Sequence, residues 1–213
     1  LYYYVSDKKL ILASEIKAII EDPSIQREPD YHAIADYFYA GRALAGKTAF
    51  KHIKEVEPGH LVSFNSNDKN FRIKKYWDLV FDYNSSRRID ETREELFHLL
   101  DDAVKVHCRS DAPLGCHLSG GIDSSSVVGF ASRHHAPLQT FSIKFSDDSY
   151  IDETPHAQAV AHHVGAKYYE KTPPAIDMTR LLPLLIWHMD VPMATDGGFA
   201  YYTCSKFVSE YVK

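Results

Sequence analysis

Pro113-Leu114-Gly115-Cys116-His117-Leu118-Ser119-Gly120-Gly121-Ile122-Asp123-Ser124-Ser125 is the stretch that decides the fold. It opens as a compact strand over 113–118, turns on two glycines, and enters a helix over 124–134 with Val127, Val128 and Ala131 facing inward. A second strand over 138–145, a helix over 154–164 ended by Gly165, and a third strand over 167–170 follow. Strand and helix alternating in units of this length predict a parallel sheet covered by helices. Upstream, Leu96, Leu99, Leu100, Ala103, Val104 and His107 form an i, i+3, i+4 stripe that predicts a long helix before the first strand.

The part before residue 82 reads differently. Tyr2–Val5 and Leu10–Ala13 flank the turn-like Ser6-Asp7-Lys8-Lys9, which predicts a hairpin. Ser14 is placed to cap a short helix carrying Ile16, Ile19 and Ile20, ended by Pro23. Asp30 is placed to cap another, with Ile34, Tyr37 and Phe38 on one stripe and Gly41 as its stop. A second hairpin is predicted from His60–Phe64 and Phe71–Trp77. The polar run at 83–88 reads as a linker between residues 1–82 and 89–213.

Composition removes several classes. The 213 residues carry 24 Lys and Arg against 29 Asp and Glu, a net charge of −5, so a nucleic-acid partner is not expected. The longest apolar stretch, 181–189 around Pro183, is too short for a membrane span. Three cysteines with no CxxC pairing suit a reducing, cytoplasmic setting. The chain opens at Leu1 in what reads as a strand and stops at Lys213 in what reads as a helix begun near Phe199; an internal piece of a longer protein is expected.

The glycine loop carries the chemistry. Two glycines after a buried strand let backbone N–H groups point outward, the helix adds its positive N-terminal end, and Ser119, Ser124 and Ser125 add hydroxyls. That is an anion cradle sized for a polyphosphate, at the carboxyl end of a parallel strand where open α/β sheets bind ligands. A Walker A loop would need Gly-Lys-Ser/Thr, and a dinucleotide fingerprint G-x-G-x-x-G; neither occurs. Asp123, an acid beside such a cradle, is useful if Mg²⁺ mediates between it and the phosphates.

S-G-G-x-D-S-S resembles the pyrophosphate loop of N-type ATP pyrophosphatases, which split ATP between its α- and β-phosphates to make an adenylate. GMP synthetases, NAD synthetases and tRNA-thiolating enzymes carry near-identical loops, so the rest of the chain must discriminate. Tyr2-Tyr3-Tyr4 with Leu12-Ala13-Ser14-Glu15-Ile16-Lys17-Ala18 resembles the end of a class II glutamine amidotransferase domain. Val56-Glu57-Pro58-Gly59-His60, Tyr76-Trp77, Arg109–Gly115, Thr140-Phe141-Ser142-Ile143, Tyr150-Ile151-Asp152-Glu153 and His188-Met189-Asp190 follow in the order found in glutamine-hydrolysing asparagine synthetases.

The resemblance implies an α/β fold: a parallel, Rossmann-like sheet of the adenine-nucleotide alpha-hydrolase type, preceded by the α+β tail of an N-terminal-nucleophile glutaminase domain. It implies an amide ligase in which ATP and aspartate give β-aspartyl-AMP and glutamine-derived ammonia displaces AMP, with small-molecule substrates, no membrane partner and a homodimer at full length. Ser119, Gly120, Gly121, Ser124 and Ser125 would hold pyrophosphate, Asp123 its Mg²⁺, and Leu118 and Ile143 would line the nucleotide pocket. The glutaminase's N-terminal Cys and the family's acidic S-G-E-G-x-D-E segment are not in these residues, so no catalytic residue is assigned and the piece by itself is expected to be inactive. A paralogous amide ligase acting on a sugar, peptide or β-amino acid, or a non-catalytic nucleotide-binding remnant, is the alternative. His117 stands where the family more often has an apolar residue.

Several features have plainer readings. The histidines His134-His135, His156 and His162-His163 lack metal-ligand spacing and read as ordinary core or surface residues. Cys116 reads as a buried structural thiol. Asp147-Asp148 and Asp152-Glu153 read as a solvated loop biased toward a helix N-terminus rather than a second Mg²⁺ site.

Overall fold

The computed structural model describes residues 1–81, 86–145, 152–174, 176–192, 195 and 197–212. The chain divides into two compact units, Leu1–Tyr83 with Pro183–Asp196, and Asn84–Leu182 with Gly197–Lys213.

In the first unit, β1 (Tyr2–Val5) and β2 (Leu10–Ala13) form the expected hairpin, with Tyr2 opposite Ala13 and Val5 opposite Leu10. Ser6 N donates to the Lys9 carbonyl at 2.9 Å to close the turn. β3 (Lys54–Glu55) pairs antiparallel on the other side of β1, and β4 (His60–Asn65) with β5 (Asn70–Lys75) makes a separate hairpin. Helix α1 (Ile16–Ile20) buries Ile16 and Ile19 against Ile25 and Ile53, with Tyr2, Tyr4 and Ile11 from the sheet around them. Helix α2 (Tyr31–Ala40) is capped as expected: Asp30 Oδ1 accepts from the amides of His32 (3.0 Å) and Ala33 (3.1 Å), and Gly41 ends it at φ 73°. Its stripe is narrower than the sequence suggested. Ala33 is the buried position, while Phe38 is 82 % exposed.

In the second unit, α3 (Ile89–His107) leads to β6 (Gly115–His117), α4 (Ile122–His134), β7 (Gln139–Ile143), α5 (Thr154–His163) and β8 (Lys167–Lys171). The three strands form a parallel sheet in the order β6-β7-β8, so the second unit is α/β as the alternation demanded. Leu118, Val128, Ala131, Leu138, Ala157 and Ala161 make one core on the helix side. Phe141, on the opposite face of β7, is fully buried with Cys204 and Phe207 of α7 (Gly197–Val208). Its ring stacks on Tyr169 at 5.1 Å and meets Phe207 edge-on at 5.8 Å. Gly115 lies beside the same ring: a β-carbon there would come within 2.7 Å of Phe141 Cε2.

Four local expectations are corrected. Ser14 does not cap α1; the N-cap residue is Glu15, whose side chain makes no capping bond. Of the expected α3 stripe, Val104 packs on the core, as does Cys108 just past the helix, whereas Leu96 and Leu99 are 55 % and 62 % exposed. Phe97 meets Phe130 at 5.1 Å, and Asp101 accepts from His134 Nε2 at 2.8 Å and pairs with Arg133 at 3.3 Å, fastening α3 to α4. Val127 is exposed, whereas Val128 and Ala131 are buried. The helix begun near Phe199 stops at Val208, with turns at 209–211. Helix α6 (Ile176–Met189), with Pro183 inside it, was not anticipated. Residues 83–85 of the expected linker, the Asp147-Asp148 pair and Tyr150-Ile151 lie outside the described residues. No described helix is long and apolar enough to cross a membrane.

Candidate active site at the glycine loop

The sheet sets the loop in place before any ligand is considered. Leu118, just past β6, is 1 % exposed; its N–H donates to the Phe141 carbonyl at 2.9 Å and its carbonyl accepts from Ser142 Oγ at 2.5 Å. Both bonds tie the strand end to central strand β7, so the loop starts from a rigid point.

Gly120 then takes φ +100°, a conformation that L side chains rarely adopt, and its α-carbon presses on Glu153. Gly121 is the N-cap of α4 and, without a side chain, caps nothing. The first helical bond is Ser125 N to the Gly121 carbonyl at 3.0 Å. The amides of Ile122, Asp123 and Ser124 therefore precede the ladder and face out of it, the arrangement an anion uses.

The serines are linked to one another. Ser119 Oγ and Ser124 Oγ are 2.9 Å apart, Ser124 Oγ also donates to the Gly121 carbonyl at 3.1 Å, and Ser119 Oγ accepts from Gly121 N at 3.3 Å. This network fixes the hydroxyls before a ligand arrives, so little ordering remains to be done on binding. Ser125 is half-buried and Asp123 exposed in the first turn of the helix.

A cleft of about 370 Å³ opens beside the loop. Of the eight residues singled out from the sequence, Leu118, Ser119, Ser124 and Ile143 line it; Gly120, Gly121, Asp123 and Ser125 belong to the adjoining loop and helix turn without lining it. Ser142, Glu153, Tyr201 and Cys204 line it as well and were not singled out as ligand contacts. Glu153 had a readable signal, since it leads a helix facing the loop. A β-carbon at Gly121 would sit 3.9 Å from its Oε2. Tyr201 and Cys204 had none, because their helix reaches the cleft only through tertiary packing.

Asp152 is committed to local structure. It accepts from Thr154 N at 3.0 Å and Thr154 Oγ1 at 2.6 Å, and pairs with Lys144 at 3.5 Å. These bonds from Thr154, helped by Lys144, hold its carboxyl below the usual range. It stands just before α5 (Thr154–His163), whose N-cap is Glu153. His117 faces Tyr201 with ring centroids 6.3 Å apart. Burial pushes the Cys116 thiol up to about 11, as a structural thiol requires.

The sequence profile described as asparagine synthase matches residues 95–213, and that described as a glutamine amidotransferase domain matches residues 1–77. The chain belongs to the asparagine synthase family. Among similar curated proteins, a putative glutamine-hydrolysing asparagine synthetase 2 of Methanocaldococcus jannaschii is 31% identical over 99% of this chain and 41% of its own length. Asparagine synthetase 1 of Bacillus subtilis is 30% identical over 100% of this chain and 33% of its own. An amidase of Penicillium rubens is 28% identical over 93% of this chain and 31% of its own. This asparagine synthase family chain thus spans a third to two fifths of the length of the synthetases it matches.

Proposed function

We propose that this chain is part of an ATP-dependent amide ligase that makes asparagine from aspartate with nitrogen from glutamine. The observation that carries the reading is the loop itself. Outward amides, a linked serine pair and a side-chain-free approach stand at the carboxyl end of a parallel strand, in a chain of the asparagine synthase family.

In this reading a β-carboxylate oxygen of aspartate attacks the α-phosphorus of ATP and pyrophosphate leaves. Ammonia, released as glutamine and water become glutamate, then attacks the acyl carbon; AMP departs and the nitrogen loses a proton. Ser119, Gly120, Gly121, Ser124 and Ser125 hold the departing pyrophosphate, with the helix end adding favourable potential as its charge develops. Leu118 and Ile143 supply an apolar wall for the adenine, which is how such bases are commonly held. The donor set suits a divalent ion arriving with the triphosphate, because Asp123 stands exposed beside the bare amides and Glu153 borders Gly121. Such an ion, Mg²⁺ by its preference for carboxylate and phosphate oxygens, would offset phosphate charge, with Asp123 as its holder.

We also assign residues 1–82 to the end of an amidotransferase domain, 83–88 to a linker and 89–213 to the beginning of the ATP-pyrophosphatase domain; the profile matches over 1–77 and 95–213 support this. A homodimer in the cytoplasm remains part of the proposal. The likeness to a fungal amidase favours one second reading, in which the loop chemistry is kept and the acceptor is a carboxylate other than aspartate.

The test is an assay of the full-length protein with Mg-ATP, glutamine and aspartate. Asparagine and AMP formed in equal amounts are expected. AMP formed only with another carboxylate would select the second reading, and no AMP with any carboxylate would reject both.

A further inference from the structure

Helix α1 is only five residues long, Ile16–Ile20, and its own sequence provides no cap. The cap comes from 174 residues further along the chain. Asp190 Oδ2 accepts from Ile16 N at 2.7 Å and from Lys17 N at 3.4 Å. Its other oxygen pairs with Lys17 Nζ at 3.1 Å, and that ammonium also donates to the His188 carbonyl at 3.4 Å and lies 5.0 Å from the centre of the Trp187 ring. The carboxylate is well shielded, its side chain only 9% exposed.

Asp190 does a second thing at once. It sits at φ +58° just beyond α6, and its N–H donates to the Ile186 carbonyl at 2.9 Å, ending that helix. Ending a helix in the left-handed conformation calls for Gly or Asn. An aspartate there is explained by what its carboxylate reaches. The residues from Pro183 to Asp196 fall inside the match to the asparagine synthase profile, yet they fold with the unit built from Leu1–Tyr83.

We infer that Asp190 is a latch, a positioning residue that holds a stretch of synthase-type sequence on helix α1 of the amidotransferase-type region. Use of glutamine nitrogen depends on that latch, whereas use of free ammonia does not. The coupling half rests on the function proposed above; the latch half rests on the hydrogen bonds alone. Ile16 and Ile19 seat α1 in the core of the first unit, so a bond to the Ile16 amide fixes Asp190 and the backbone around it to that core. Without the latch, ammonia released from glutamine is lost to solvent instead of meeting the adenylate, while ammonia supplied from solvent arrives as before.

The experiment uses full-length protein carrying Asp190→Ala, Asp190→Asn or Lys17→Met. Hydrogen exchange at the Ile16 and Lys17 amides is measured beside glutamate and AMP release, with glutamine or ammonium as nitrogen source. Asp190→Ala is expected to speed exchange at both amides about tenfold, the consequence of losing one cap. It is expected to raise the glutamate-to-AMP ratio about fivefold and leave ammonium-supported AMP release within about twofold. Asn keeps an acceptor oxygen and tolerates the left-handed backbone, so Asp190→Asn should keep the amides protected. Should Asp190→Ala fail to fold, Lys17→Met, which leaves the cap but removes the ion pair, is expected to raise the ratio about twofold.

Unchanged exchange in Asp190→Ala overturns the latch. Unchanged ratios in Asp190→Ala and Lys17→Met, or parallel loss of glutamine- and ammonium-supported rates, overturn the coupling. A wild-type enzyme releasing no AMP from either nitrogen source defeats the proposed function, and the coupling with it, while the exchange data still decide the latch.

Discussion

The carbonyl oxygen of Glu153 lies against the α-carbon of Gly120, so close that an added β-carbon would sit 2.3 Å from it. Backbone from the start of α5 thus forms the floor under the glycine loop. The floor leaves no room for a side chain, and the loop's φ of +100° would disfavour one in any case.

Gly120→Ala must therefore move either the loop or the α5 entry. We expect a stability loss of about 1–3 kcal/mol and at least a tenfold weaker hold on Mg-ATP in the full-length protein. Denaturant titration and calorimetric ATP binding measure the two. Wild-type affinity in this variant would mean that the loop is not the phosphate cradle.

Asp123→Asn keeps the size of the side chain and removes its charge. Adenylation, read as pyrophosphate release, should fall about a hundredfold while glutamine hydrolysis persists, because only the first step needs a carboxylate near the triphosphate. Equal loss of both activities would point to a folding defect instead.

Phe141→Ala would empty a fully buried position where Tyr169, Phe207 and Tyr211 all lie within ring contact. A loss of about 3–5 kcal/mol is expected. Chemical unfolding followed by tyrosine fluorescence reads it directly, and a cost below about 1 kcal/mol would show that the face repacks freely.

Asp30→Ala removes the α2 cap and the ion pair with Lys54 at 3.3 Å. Burial pushes the Asp30 carboxyl up, but the Ala33 amide and Lys54 outweigh it, so its pKa is lowered overall. A lowered carboxyl stabilises the fold above its unfolded pKa and loses that contribution as pH falls through the folded one. The variant should cost about 1–2 kcal/mol at pH 7 and less in acid, as denaturation series at pH 7 and pH 3 would reveal.

Cys116 and Cys204 are both pushed up to about 11, chiefly by burial. A raised thiol favours the protonated form in the folded state, so their contribution is complete below pH 9 and declines between about 9 and 11. Alkylation by iodoacetamide, followed by mass spectrometry, should label both at least tenfold more slowly in the native protein than in denaturant at pH 8. Rapid native labelling of Cys116 would contradict its structural assignment.

Much of this fold was legible because local signals and burial agreed. The β1–β2 hairpin, the Asp30 cap and the Gly41 stop all lie where turn and capping chemistry put them, whereas α4 begins at Ile122, ahead of the expected start at Ser124. The failures have a shared physical origin. Ser14 was a plausible cap, but the α1 amides took a carboxylate from distant sequence, which no window of neighbours reveals. Helix α6 was missed because Pro183 carries a local penalty inside a helix, which the burial of residues such as Leu185 offsets. In α3 the expected stripe reaches the core through Val104, while its contacts with α4 run through Phe97 and Asp101, whose partners on α4 no window of neighbours reveals. The glycine loop was readable from glycines and serines alone, whereas the cleft wall contributed by Tyr201 and Cys204 exists only once α7 packs against β7.

Gly115 and Phe141 amount to a single inherited choice. The ring fills the volume that any side chain at 115 would need, so a β-carbon there is tolerable only if residue 141 shrinks. Shrinking 141 would in turn strip Tyr169 of its stacking partner. Among sequences built on this sheet, a bulky aromatic at the second position should therefore accompany glycine at the first, and alanine or serine at the first should accompany a smaller residue at the second. The pair also limits laboratory evolution of the nearby cleft: enlarging it by trimming residue 141 opens a neighbouring void, which a library must refill at 115 in the same round.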